Sequence, residues 1–174
     1  MTAILFVGCK KEDDNPSTGT ANSNVSLENS SAKKAAAYES VNIDIQKVSI
    51  HTSGDTASSS GWFDLETNGG VYDLLDYASG NDTLIGFDSV LNVQTISQIR
   101  LLLGNNNTIV VDGETFPLET PSAQTSGLKI QVHAELQAES SYKVVLDFDS
   151  EKSIIKAGNK YKLKPVINAT LVEL

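Results

Sequence analysis

The chain has a single cysteine in 174 residues, Cys9, so no intrachain disulfide can form and the core must hold the fold without staples. Aromatic residues make up 6% and include one tryptophan, Trp62, which is thin for a broad aromatic platform. The two histidines, His51 and His133, show neither HxH nor HExxH spacing, and no GxSxG elbow occurs. Zinc-hydrolase and serine-hydrolase signatures are therefore both missing. Positive charge is short as well: 13 Lys and Arg against 22 Asp and Glu give a formal charge of -9 and a pI near 4.6. That field repels phosphate backbones and argues against nucleic acid as a partner. No apolar run approaches the ~20 residues that a membrane-spanning helix needs. Nor does any window of about a dozen residues in the body of the chain keep a 3.6-residue period.

What the chain has is alternation. Tyr142, Val144, Leu146 and Phe148 alternate with polar neighbours, the mark of a strand with one buried face. After a Gly158-Asn159 turn, Tyr161, Leu163, Pro165, Ile167, Ala169 and Leu171 keep one parity and predict one long terminal strand. Val41, Ile43 and Ile45 alternate, then the parity flips to Val48 and Ile50, which predicts a β-bulge at Gln46-Lys47. Residues 95–103 read as a central strand. Asp112-Gly113 predicts a tight hairpin whose second strand, carrying Pro117, lies at an edge. Leu128, Ile130, Val132, Ala134 and Leu136 predict a strand with one wet face. Around Asn68-Gly69-Gly70, the apolar residues Trp62, Leu65, Val71, Leu74 and Leu75 mark two short strands. Residues 30–38 read as a short helical connector, 52–61 as an exposed loop and 76–92 as irregular. At 18.6 kDa the whole implies one all-β domain, an antiparallel β-sandwich of immunoglobulin-like or transthyretin-like kind.

The N-terminus has a different character. Residues 1–9, MTAILFVGC, resemble the end of a bacterial lipobox, with Phe6 in the usual leucine position and Gly8 before Cys9. Met1 to Gly8 contains no Lys or Arg, so the signal segment is expected to be truncated, with the true start upstream. Lys10-Lys11-Glu12-Asp13-Asp14-Asn15 resembles the basic-then-acidic tag of Bacteroidota-type surface lipoproteins. The polar, breaker-rich stretch that follows cannot order itself. The expected organisation is residues 1–9 as a signal segment ending in a lipidated Cys9, 10–24 as a disordered tether and 25–174 as the domain. Lipid on Cys9 would anchor the protein to a membrane without crossing it.

The blocks SVNIDIQKVSIH, GWFDL, VYDLLDY, ISQIRLLLGNNNTIVVDGETFPL, SGLKIQV, LDFDSEKSI and YKLKPVI resemble, in order and spacing, a Bacteroidota lipoprotein domain. That family is domain of unknown function 4382, and the similarity covers roughly residues 25–170. The resemblance implies an extracytoplasmic β-sandwich with a lipid anchor and supplies no activity. The family usually has a Leu-Thr-Asp-Ala-Pro-like turn after its first strand, where this chain has Leu27-Glu28-Asn29-Ser30-Ser31.

Four groups of residues invite a functional reading. Asp147, Asp149 and Glu151, at i, i+2 and i+4, could hold Ca²⁺ from one strand face, the only cofactor the chain suggests. The plain alternative is a solvated acidic face paired with Lys143, Lys160 or Lys162. Asp73 or Asp76 with Asp147 or Asp149 would be needed for a glycosidase pair, the weakest of the readings. His51 and His133 read as strand-surface residues. Trp62 could stack on a sugar ring or could plug the core or a sheet edge. The expectation is a lipid-anchored, surface-exposed envelope lipoprotein, not an enzyme, whose sandwich binds a polysaccharide or a partner protein. A structural or accessory subunit of an envelope complex is the alternative.

Overall fold

A computed structural model describes residues 21–31, 38–52, 61–78, 80–91, 95–137 and 139–174. Cys9, the tag behind it, the centre of the expected connector (32–37) and residues 53–60 lie outside the described residues. β1 (Ala21–Glu28) and the long β2 (Ser40–Thr52) come first. The short β3 (Trp62–Asp64), β4 (Glu66–Thr67) and β5 (Gly70–Asp73) lead into a 3-10 turn at Leu74–Asp76. β6 (Thr83–Leu91), β7 (Thr95–Leu103), β8 (Thr108–Val111), β9 (Glu114–Glu119) and β10 (Leu128–Glu135) follow. β11 (Ser141–Phe148) and the one-turn helix α1 (Ser150–Ser153) precede β12 (Ile154–Ala157), β13 (Lys160–Leu163) and β14 (Ile167–Glu173).

These strands form two sheets, in the orders β14-β11-β1-β6-β4 and β10-β7-β2-β8-β9-β13-β12, with β3 and β5 also paired to β2. The sheets pack face to face as an all-β sandwich. Val25, Leu27, Ile85, Val144, Leu146 and Phe148 from the first sheet meet Val41, Ile43, Ile45, Val48, Ile50, Ile99 and Leu101 from the second, all fully buried. Each such side chain contributes about 1.5–3 kcal/mol by leaving water. The sheets are mixed rather than wholly antiparallel, because β1 runs parallel to β11 and β13 parallel to β9.

The parity flip in β2 is a bulge. Ile45 pairs with Leu103 but Lys47 with Leu102, and both Gln46 and Lys47 are exposed. β7 runs from Thr95 to Leu103 between β10 and β2, as a central strand should. Asp112 and Gly113 both take positive φ, 52° and 75°, and close the β8–β9 hairpin.

Four expectations need correction. Residues 21–24, expected in the tether, are the start of β1, where Asn22, Ser23 and Asn24 pair with Ser141, Tyr142 and Lys143. Neighbouring strands on both sides order a polar stretch that could not order itself. Residues 83–91, expected to be irregular, form β6. Its alternation is hidden because the pairing with β1 shifts register at Val25/Ser26, and Gly86 fills a core-facing position against Val48. The long terminal strand is two strands: the chain crosses from one sheet to the other at Pro165, leaving β13 and β14 in different sheets. Finally, β9 is not an edge. Leu118 N donates to Asn107 O, so the nitrogen of Pro117 faces the β13 side, where pairing begins only at Leu118. Proline thus removes no ladder bond.

The change of β2's partner from β8 to β7 is held by Asp44, which is 2% exposed. Its carboxylate accepts from Gln46 Nε2, from Asn106 N at 3.1 Å and from Asn106 Nδ2 at 3.0 Å. Its backbone N donates to Asn107 Oδ1 at 2.9 Å, and its carbonyl accepts from Gly104 N at 2.7 Å. A Cβ on Gly104 would overlap the Asp44 carboxylate. Gly104→Ala is expected to cost about 2–3 kcal/mol of stability, read as a lower urea midpoint with an unchanged slope. Wild-type stability in that variant would mean that the Asp44 contacts are not required.

Candidate functional site

The bulge in β2 turns Lys47, Ser49 and His51 onto the outer face of the second sheet. Register then builds two rows across β3, β2, β7 and β10. One row is Asp64, Ser49, Arg100 and Lys129, and the other is Trp62, His51, Gln98 and Gln131. Trp62 reaches its place because Gly61, at φ 69°, turns the chain tightly over His51. A Cβ there would lie 2.8 Å from His51 Nε2, so a larger residue would push the tryptophan away. The His51 ring meets Trp62 edge-on, with centroids 5.0 Å apart and planes at 73°. Ser97 Oγ lies within hydrogen-bond reach of both the His51 carbonyl, at 3.0 Å, and His51 Nδ1, at 2.7 Å.

Cations cluster on the indole. Arg100 Cζ lies 4.4 Å from the ring centroid and Lys129 Nζ 5.8 Å from it. Arg100 also donates to Ser49 Oγ at 3.4 Å, and Ser49 donates to Asp64 at 2.7 Å. Asp64 pairs with Lys47 at 2.8 Å, and this bond, then the one from Ser49, holds its carboxyl below the usual carboxylate range. Both partners are about half exposed, so the pair contributes about 1 kcal/mol at most. Along β10 the face runs into a groove of about 470 Å³ lined by Gly127 to Gln131, Pro165 and Ile167.

A family profile described as Domain of unknown function (DUF4382) matches residues 20–165. The chain belongs to the DUF4382 family. Comparison with curated proteins and with solved structures finds no match. The matched segment of this DUF4382 domain begins just before β1 and ends at the Pro165 crossover, so it contains the whole Trp62 face and excludes β14.

Trp62 does not plug the core; half-buried on β3, which among the described residues pairs only with β2, it packs against a cation and an imidazole. His51 belongs to this cluster. His133 is two strands away, at φ 53° in an irregular step where β10 shifts register against β7. Cys9 lies outside the described residues. The acidic series does not share a strand face, because β11 ends at Phe148 and Glu151 sits in α1. Asp147 accepts from Ser30 N at 2.7 Å and Ser30 Oγ at 2.6 Å. Asp149 caps α1 through Lys152 N at 3.1 Å and binds Lys152 Nζ at 2.6 Å. Asp73 accepts from Val41 N and Leu75 N, both at 3.0 Å, and so fixes the 3-10 turn. Among the described residues no three His, Cys, Asp or Glu side chains gather as a metal site. The turn in which this chain departs from its family's pattern also serves these contacts: buried Asn29 donates to Leu74 O and Ser150 Oγ, both at 3.0 Å.

Arg100 and Lys129 were not readable as site residues. Alternation puts each outward, between Ile99 and Leu101 and between Leu128 and Ile130, but only the pairing register brings them to Trp62.

The bond from Lys152 holds the Asp149 carboxyl below its ordinary value. A lowered native pKa stabilises the fold above the unfolded value of about 3.9, and the gain disappears as pH falls through the native value. Asp149→Ala is expected to cost about 1 kcal/mol at neutral pH in urea unfolding. The difference from wild type should close with acidification below about pH 4; a gap unchanged by pH would contradict the ion pair's role.

Proposed function

We propose that this DUF4382 domain is the non-catalytic binding module of a lipid-anchored lipoprotein displayed on the outer surface of the envelope. The observation that carries the binding reading is the Trp62 cluster: an outward-facing tryptophan with Arg100 and Lys129 gathered on it, built on rigid strands beside an open groove. Core packing does not require such a cluster. The anchor reading is supported by Gly8-Cys9 and the Lys10 to Asn15 tag. Two or more acyl chains at about 0.8 kcal/mol per buried methylene would hold the protein to a bilayer. The segment between Cys9 and β1 is long enough to let the domain stand off the lipid.

A second reading, an accessory subunit docked on other envelope proteins, draws on β14. It is the terminal strand of its sheet, and Val172 and Leu174 are 38% and 65% exposed.

Both readings share a test of location. Intact cells expressing the full gene are treated with protease, beside a Cys9→Ala variant and one with residues 10–14 replaced by alanine. We expect the wild type to be shaved, the tag variant to be protected and Cys9→Ala to leave the membrane fraction. A wild type protected on intact cells and shaved only after permeabilisation would overturn surface display.

A further inference from the structure

We propose that the Trp62 face takes an acidic polysaccharide, one bearing spaced carboxylates such as uronates, with Arg100 and Lys129 clamping a single carboxylate between them. This rests on the binding-module reading and names its ligand class.

The argument begins with a local conflict. Arg100 and Lys129 are direct cross-strand partners between β7 and β10, and like charges in that position repel. The chain carries nine more acidic than basic residues, yet among the described residues no carboxylate forms an ion pair with either of these two cations. Asp64, on the same row, is held by Lys47 and Ser49 and feels Arg100 only weakly, through the intervening Ser49. Glu135 shares the outer face of β10 but lies six residues along, roughly 20 Å away. Lys129 makes no ion pair among the described residues. The indole of Trp62 is within cation–π reach of both side chains and holds them together at one point of the surface. A fold that gathers two cations on one indole, on a protein of opposite net charge, stores a repulsion that an incoming carboxylate would turn into two charge-assisted hydrogen bonds.

Shape and polarity select a polysaccharide among anions. The four strands of each row, at about 4.8 Å spacing, give a platform roughly 14 Å across, a breadth that suits an extended polymer better than an enclosed small molecule. In the adjacent row Gln98 and Gln131 are cross-strand partners, and their amides can both donate to and accept from sugar hydroxyls. Nucleic acid would bring one charge per ~1.7 Å into a negative field. A polyuronate carries one carboxylate per sugar, fewer per unit length than a duplex carries phosphates, so it meets less repulsion from that field for the same contact at the clamp.

The test is affinity electrophoresis of the unlipidated full chain, Cys9→Ala, through gels containing polygalacturonate or the same polymer with its carboxyls methyl-esterified. Retardation is expected with the acidic polymer alone, weakening as salt rises and falling about tenfold in Arg100→Gln and in Lys129→Gln. In the absence of polymer, Lys129→Gln is expected to raise Tm by about 1–3 °C, because it removes the like-charge contact; a lower Tm would overturn the stored repulsion. Equal retardation by both polymers would overturn the acidic class and leave the binding module standing. No retardation by these, by alginate or by neutral dextran and galactan would overturn the polysaccharide reading altogether. Retention by phosphatidylglycerol vesicles and by none of the polymers would overturn it in favour of a membrane surface.

Discussion

The structure turns on the buried carboxylate of Asp44. It sits where β2, thirteen residues long, gives up β8 as its partner and takes β7, and a chain making that exchange leaves peptide groups without ladder partners. Asp44 and the side chain of Asn107 supply those partners by bonding to the turn at residues 104–107. Such a carboxylate, away from water, is tolerable only because neutral donors surround it. The bulge at Gln46 follows immediately. It restores Val48 and Ile50 to the core after the exchange and, by the same half-turn, sends Ser49 and His51 outward. Core continuity and the outer platform are two results of one irregularity.

The sequence announced the regular parts well. Alternation in β2, β7 and β11 came through because each has one wet and one dry face, and the bulge showed as a clean flip of parity between Ile45 and Val48. It failed where a strand's pattern is interrupted for a reason located in another strand. β6 looks irregular because Gly86 stands where Val48 needs room and because a register shift against β1 breaks its period. β13 and β14 look like one strand because parity survives the crossover at Pro165, although the partners change completely. Parity records which face is dry, and does not record which sheet the strand has joined.

The candidate residues divide along the same line. The acidic series Asp147, Asp149 and Glu151 looked like one face because a strand was assumed to continue. Asp149 is also a good N-cap, and with Lys152 three residues on, the chain forms a helical turn instead. Trp62 stood out by being the only tryptophan, yet its chemistry here is set by Arg100 and Lys129, thirty-eight and sixty-seven residues away in sequence. Their meeting depends on the registers of three strand pairs at once.

What this sequence determined by itself is what local pattern can encode: an all-β chain, its principal strands, the tight hairpin, the bulge and kinship with DUF4382. These depend on alternation, turn chemistry and short-range spacing, which act within a few residues. Tertiary structure alone decided the mixed sheets, the crossover at Pro165, the buried neighbours of Asp44 and the gathering of two cations on one indole. Those depend on strand register between distant segments, and register is chosen by the summed burial of both sheets, which no short stretch of the chain contains.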